Sequence, residues 1–160
     1  MSNIWIAAGD GDKTKVEEFL NQGLTATSAD PSGYTPVHAA ASWGHADLLR
    51  FLLARSEPAA VNVTDGDGDT PLHHLATSEL DVDTMGLVMR LLLESGADPS
   101  LRNKEGLTCI QVAEQDRDAD MDGAVGAMTD DDAEGDREQA RAPTEFEQVL
   151  SSLMAASTGA

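Results

Sequence analysis

Asp118-Ala-Asp120-Met-Asp122-Gly123-Ala-Val125 sets three carboxylates at alternate positions before a glycine, the spacing that surrounds calcium in the first half of an EF-hand loop. The match then fails. The closing position calls for a bidentate Glu, Thr129 stands there, and no amphipathic helix leaves the loop. Asp118, Asp120 and Asp122 are therefore a weak metal candidate within an Asp-rich linker. Calcium-responsive binding through 118–129 is kept as the alternative function.

The other chemistry-bearing residues read more blandly. Asp65, Asp67 and Asp69 also alternate, but a solvated acidic turn explains them. His73 and His74 are adjacent, so on a helix they point about 100° apart and do not chelate together. With one cysteine and no His pair at helical spacing, a zinc site is not expected. Cys109 has no cation beside it to favour a thiolate and reads as a small half-buried apolar residue. In Gly9-Asp-Gly11-Asp12-Lys13-Thr14 the residue before the lysine is a carboxylate, where a phosphate-binding loop needs glycine. No Ser/His/Asp or paired-acid constellation stands out. The expectation is no enzyme and no cofactor.

The elements around these residues repeat. Asp30-Pro-Ser-Gly33-Tyr-Thr35-Pro36-Val37-His38 aligns with Asp65-Gly-Asp-Gly68-Asp-Thr70-Pro71-Leu72-His73 and with Asn103-Lys-Glu-Gly106-Leu-Thr108-Cys109-Ile110-Gln111. The threonines lie 35 and then 38 residues apart. In each copy a glycine suits a tight turn with positive φ. Thr then suits a helix N-cap, and in the first two copies Pro suits the first helical position. Leu48, Leu49, Leu52 and Leu53 share one helical face, and Gly96 is placed to end a helix over 88–93.

These motifs resemble the ankyrin repeat, whose period is about 33 residues and whose signature is T-P-L-H-x-A. Ala40-Ala41-Ser-Trp-Gly44-His45 and Leu91-Leu92-Leu93-Glu-Ser-Gly96-Ala97-Asp98 are similar to the second half of that repeat. The resemblance runs from residue 4 to about 115. It implies an all-α solenoid of stacked helix-turn-helix units joined by short β-hairpin loops. It also implies that His38 and His73 link neighbouring repeats by hydrogen bonds, and that His45 is a scaffold residue.

The expected organisation is a capping half-repeat at 1–29, repeats at 30–64 and 65–102, and an interrupted last repeat at 103–156. The capping half uses Ala7-Ala8 and the face Val16, Phe19, Leu20. The second repeat departs from the pattern with a long turn at 77–84 and with His74 where Leu is common. Residues 116–143 hold ten acids, three arginines and no Leu, Ile or aromatic, which predicts a loosely held insertion. Thr144 and Glu147 then form a capping box, followed by Phe146, Val149, Leu150 and Leu153 on one face. This segment is expected to close the solenoid, with a partner-binding amphipathic helix as the other reading.

The net charge of −19, and of −12 outside 116–143, repels nucleic acid and anionic membranes and attracts a basic partner. A single cysteine and an N-terminus without a basic, apolar leader suggest the cytosol or nucleus. A monomer is expected. The resemblance implies binding through hairpin tips and the first helix of each pair. There the positions not used by the fold are Pro31, Ser32, Tyr34, Ser42 and Trp43, rimmed by Asp10, Asp67, Asp69, Lys104, Glu105 and Leu107. Tyr34 and Trp43 are the expected anchors, with partial packing onto an adjacent repeat as the other reading. The layout also resembles small eukaryotic ankyrin-repeat proteins with an acidic tail, among them a ribosomal-protein chaperone, which implies an escort or adaptor for a basic protein.

Overall fold

A computed structural model describes residues 3–121 and 143–158, and side chains except those of 117–121, 157 and 158. Among the described residues eight α-helices follow one another: α1 Ile4–Gly9, α2 Lys13–Asn21, α3 Pro36–Ser42, α4 Ala46–Ala54, α5 Pro71–Ala76, α6 Val82–Glu94, α7 Cys109–Met121 and α8 Glu145–Thr158. A 3-10 turn, Pro58–Asn62, lies between α4 and α5. They form two stacked rows. The first helices pack in the order α1, α3, α5, α7, and behind them α4, α6 and α8 pack in turn.

Each repeat begins as its threonine dictates. The Thr35 hydroxyl accepts the His38 backbone N–H, and His38 Nδ1 accepts the Thr35 N–H at 3.2 Å. Pro36 follows, where a missing N–H costs nothing. Thr70, Pro71 and His73 repeat the arrangement. The row of alanines in α3 lets its neighbours approach closely: Ala39, Ala40 and Ala41 are all buried. The larger volume comes from Ile4, Leu49, Leu52, Leu72, Leu75, Met89 and Leu92.

The loops between repeats are turns rather than strands, since no strand occurs among the described residues. The Asp30 N–H donates to the Tyr34 carbonyl at 2.9 Å and the Asp65 N–H to the Asp69 carbonyl at 3.1 Å. With the Gly33 N–H to the Asp30 carbonyl and the Gly68 N–H to the Asp65 carbonyl, each turn has two backbone bonds, which keep the hairpin shape without extending into a ladder. Successive turns are stitched together: the Gly66 N–H reaches the Ser32 carbonyl at 2.6 Å, and the Lys104 N–H reaches the Asp67 carbonyl at 3.0 Å. Gly33 and Gly68 sit at these junctions with φ of 83° and 79°. A β-carbon at Gly33 would lie 2.7 Å from the Gly66 nitrogen, so only glycine serves there.

Two expectations need correction. The long turn at 77–84 is shorter, because Asp81 caps α6 by accepting the Thr84 N–H at 2.9 Å and the helix starts at Val82. Within that turn Leu80 packs onto the core, close over Gly44. The acidic segment is also helical at its start, since α7 continues to Met121. A helix already anchored by buried Cys109 and Ala113 extends at one backbone bond per residue fixed. The remainder of the expected insertion, 122–142, lies outside the described residues.

At the C-terminal end the Thr144–Glu147 box forms: the Thr144 N–H donates to Glu147 at 2.8 Å, and the Glu147 N–H donates to the Thr144 hydroxyl at 3.2 Å. Phe146 and Leu150 are buried, and α8 packs on α6 and α7. Val149 lies against Gly86 of α6, where a β-carbon would meet it at 3.4 Å. No helix is long and apolar enough to cross a membrane among the described residues.

Candidate protein-binding face

The faces of the solenoid are held in register by histidines. His38 Nδ1 is occupied by Thr35, so its Nε2 carries the proton and donates to the Asp69 carbonyl at 2.9 Å. His73 does the same to the Leu107 carbonyl at 3.0 Å. His45, at the turn between α3 and α4, reaches the Gly9 carbonyl at 2.7 Å. Burial lowers His38 to about 4, against the opposing pull of the Asp69 carbonyl. It is therefore neutral at pH 7, as a buried donor–acceptor link must be.

Tyr34 belongs to this scaffold. Its ring stacks on His38 at 5.5 Å and meets His74 edge-on at 5.3 Å, and His38 and His74 lie 5.0 Å apart. Burial raises its hydroxyl above the ordinary value, opposed by a hydrogen bond with Ser42. Three rings thus fill the junction of the first two repeats. His74 Nε2 also lies 2.7 Å from Asp65 Oδ2. Burial alone would raise Asp65, but the His74 bond and the N–H groups of Asp69 and Asp67 hold it below its ordinary value.

Trp43 is different. It is 64% exposed at the end of α3, with the pyrrole edge of its indole over Gly9 of α1, 3.5 Å from where a β-carbon would stand. Ser32, Asp67 and Glu105 are exposed at successive turn tips, and Asp69 and Leu107 are half-buried. The Ser32 hydroxyl bonds Asp30, and Asp69 Oδ1 accepts from Asn103 Nδ2 at 2.9 Å. So of the expected anchors, Tyr34 is part of the inter-repeat packing and Trp43 projects.

A model of ankyrin repeats, in three copies, matches residues 4–103. The chain belongs to the ankyrin-repeat family. It is 41% identical to the ankyrin repeat-containing protein P1E11.10 of Schizosaccharomyces pombe over 112 residues, 70% of this chain and 50% of that protein. It is 37% identical to the human BCL-6 corepressor-like protein 1 over 87 residues, 54% of this chain and 4% of that one. It is 33% identical to the horse ankyrin repeat, SAM and basic leucine zipper domain-containing protein 1 over 106 residues, 66% of this chain and 22% of that one. The chain thus spans half or less of the length of these relatives. Ankyrin repeats are protein–protein interaction modules, generally without enzymatic activity.

Within the ankyrin frame, His74 is the residue whose role was missed. It replaces an apolar residue and finds Asp65 nine positions back, a contact only the folded turn creates. Asp65, Asp69 and His74 bring one possible ligand atom each within 4.8 Å of one another. Their hydrogen bonds to one another, to backbone N–H groups and to Asn103 account for all three without an ion. As for the calcium candidate, Asp118 and Asp120 lie on the helical backbone of α7 rather than in a loop, with side chains outside those described. Asp122 and the rest of 122–129 lie outside the described residues.

Proposed function

We propose that this ankyrin chain is a non-catalytic escort or adaptor that grips a basic segment of another protein along its turn tips and first helices. The observation that carries the reading is the sorting of charge. Helices α1, α3 and α5 contain no Lys or Arg, and the exposed acids Asp10, Asp67 and Glu105 stand around them. On that side Arg102 is engaged with the Gly106 carbonyl and Gln111, leaving Lys104 and, on α7, Arg117 as the local counterweights. The cations Lys13, Lys15, Arg50, Arg55 and Arg90 belong instead to the second helices and their ends. A face charged with one sign steers and holds a partner of the other.

A basic ribosomal protein or histone has the required chemistry. The reading includes a monomer in the cytosol or nucleus, with repeat boundaries near residues 30, 65 and 103. Affinity purification of the full chain at low salt, followed by mass spectrometry, tests it. Basic proteins should be recovered and should elute as salt rises. Recovery of neutral or acidic partners alone would contradict it.

A further inference from the structure

Two aromatic residues of this chain, Phe51 and Trp43, are treated differently. On the second-helix side, Phe51 is flanked by the chain's own cations, with Lys13 Nζ 4.8 Å and the Arg55 guanidinium carbon 4.4 Å from its centroid. Trp43, on the first-helix side, has a larger and more electron-rich ring and is 64% exposed. Among the described residues, no cation of the chain stacks on it. One edge of the indole is seated over Gly9, where a β-carbon would make only ordinary contact at 3.5 Å, so the ring is supported without being covered. The next residue, Asp10, closes α1 through its backbone N–H and leaves its carboxylate side chain exposed. No Lys or Arg occurs in α1, α3 or α5 to compete.

We infer that Trp43 is a stacking shelf for a cationic side chain of the partner, and that the guanidinium of an arginine suits it best. A flat guanidinium stacks on the indole while its N–H groups point outward toward carboxylates such as Asp10. An ammonium offers the charge without the plane. This deepens the reading above and rests on it: the acidic face attracts the basic segment, and Trp43 selects which residue sits at its centre.

The test uses the full chain with three probes, octa-arginine, octa-lysine and octa-citrulline, whose side chains are respectively planar and charged, charged only, and planar only. Affinity is read by fluorescence anisotropy and the indoles by their emission. The expected order is arginine over lysine, with citrulline not binding. Trp43→Leu should weaken octa-arginine about fivefold and octa-lysine less, while Trp43→Phe should retain part of the preference. Emission should change on binding octa-arginine, and that change should vanish in Trp43→Leu. Circular dichroism checks that the variants remain folded, as expected for so exposed a side chain. If octa-arginine binds but Trp43→Leu leaves its affinity and the emission change intact, the shelf is wrong while the acidic face stands. If neither cationic peptide binds at low salt, both fail.

Discussion

His38 of the first repeat donates its Nε2 proton to the backbone carbonyl of Asp69 in the next repeat at 2.9 Å. The bond spans 31 residues of sequence and fixes the distance between two stacked units, and His73 repeats it toward Leu107. The His38 link requires a neutral imidazole, because Nδ1 must accept while Nε2 donates.

That requirement sets a pH dependence. His38 is lowered by burial to about 4 from an unfolded value near 6.5. A depressed folded value means that the stability is fully present above 6.5 and is lost as pH falls toward 4. Linkage puts the loss between pH 7 and pH 5 at about 2 kcal/mol. Urea unfolding at the two pH values should show it, and His38→Gln should flatten the dependence across that window. An unchanged slope in the variant would mean that His38 does not titrate as described.

Thr70 is buried and shares its capping box with His73. Thr70→Ala should destabilise by about 1–2 kcal/mol, from the lost cap and the partner left with one bond fewer. Denaturant midpoints check the value, and an exposed control such as Thr27→Ala should change little.

α8 is held by Phe146 and Leu150, each 2% exposed. Phe146→Ala should cost about 3 kcal/mol or more and should raise hydrogen exchange in α8 and in α6 beneath it. Protection of α6 identical to that of the parent chain would show that α8 does not cover it.

Cys109 is buried, and that burial pushes its thiol up to about 11. A thiol reagent at pH 8 should react slowly with the native chain and quickly in urea. Fast native labelling would contradict the packing of Cys109 in α7.

The repeat was legible because its signals are local. Gly33 and Gly68 mark the turns, Thr35 and Thr70 the caps, and Pro36 and Pro71 the first helical residues, all within a few positions of one another. The capping box at Thr144 was legible for the same reason. The fate of Tyr34 was open between two readings. As an aromatic beside a turn glycine it suits a binding surface, yet it packs on His38 and on His74, forty residues further along the chain. The His74–Asp65 pair was hidden too, since closing the turn is what brings them together. Likewise, the acidity of 116–121 argued against structure, while the anchor that makes it helical lies upstream at Cys109 and Ala113.

The most direct test of the account is the affinity of the full chain for its purified basic partner, measured as salt is raised, in the parent and in Trp43→Ala. The expected result is binding that weakens steadily with salt, with the variant weaker by more than about 1 kcal/mol at every salt concentration and equally stable to urea. Binding that ignores salt and is untouched by Trp43→Ala would contradict the claim that this acidic face and its projecting indole hold the partner.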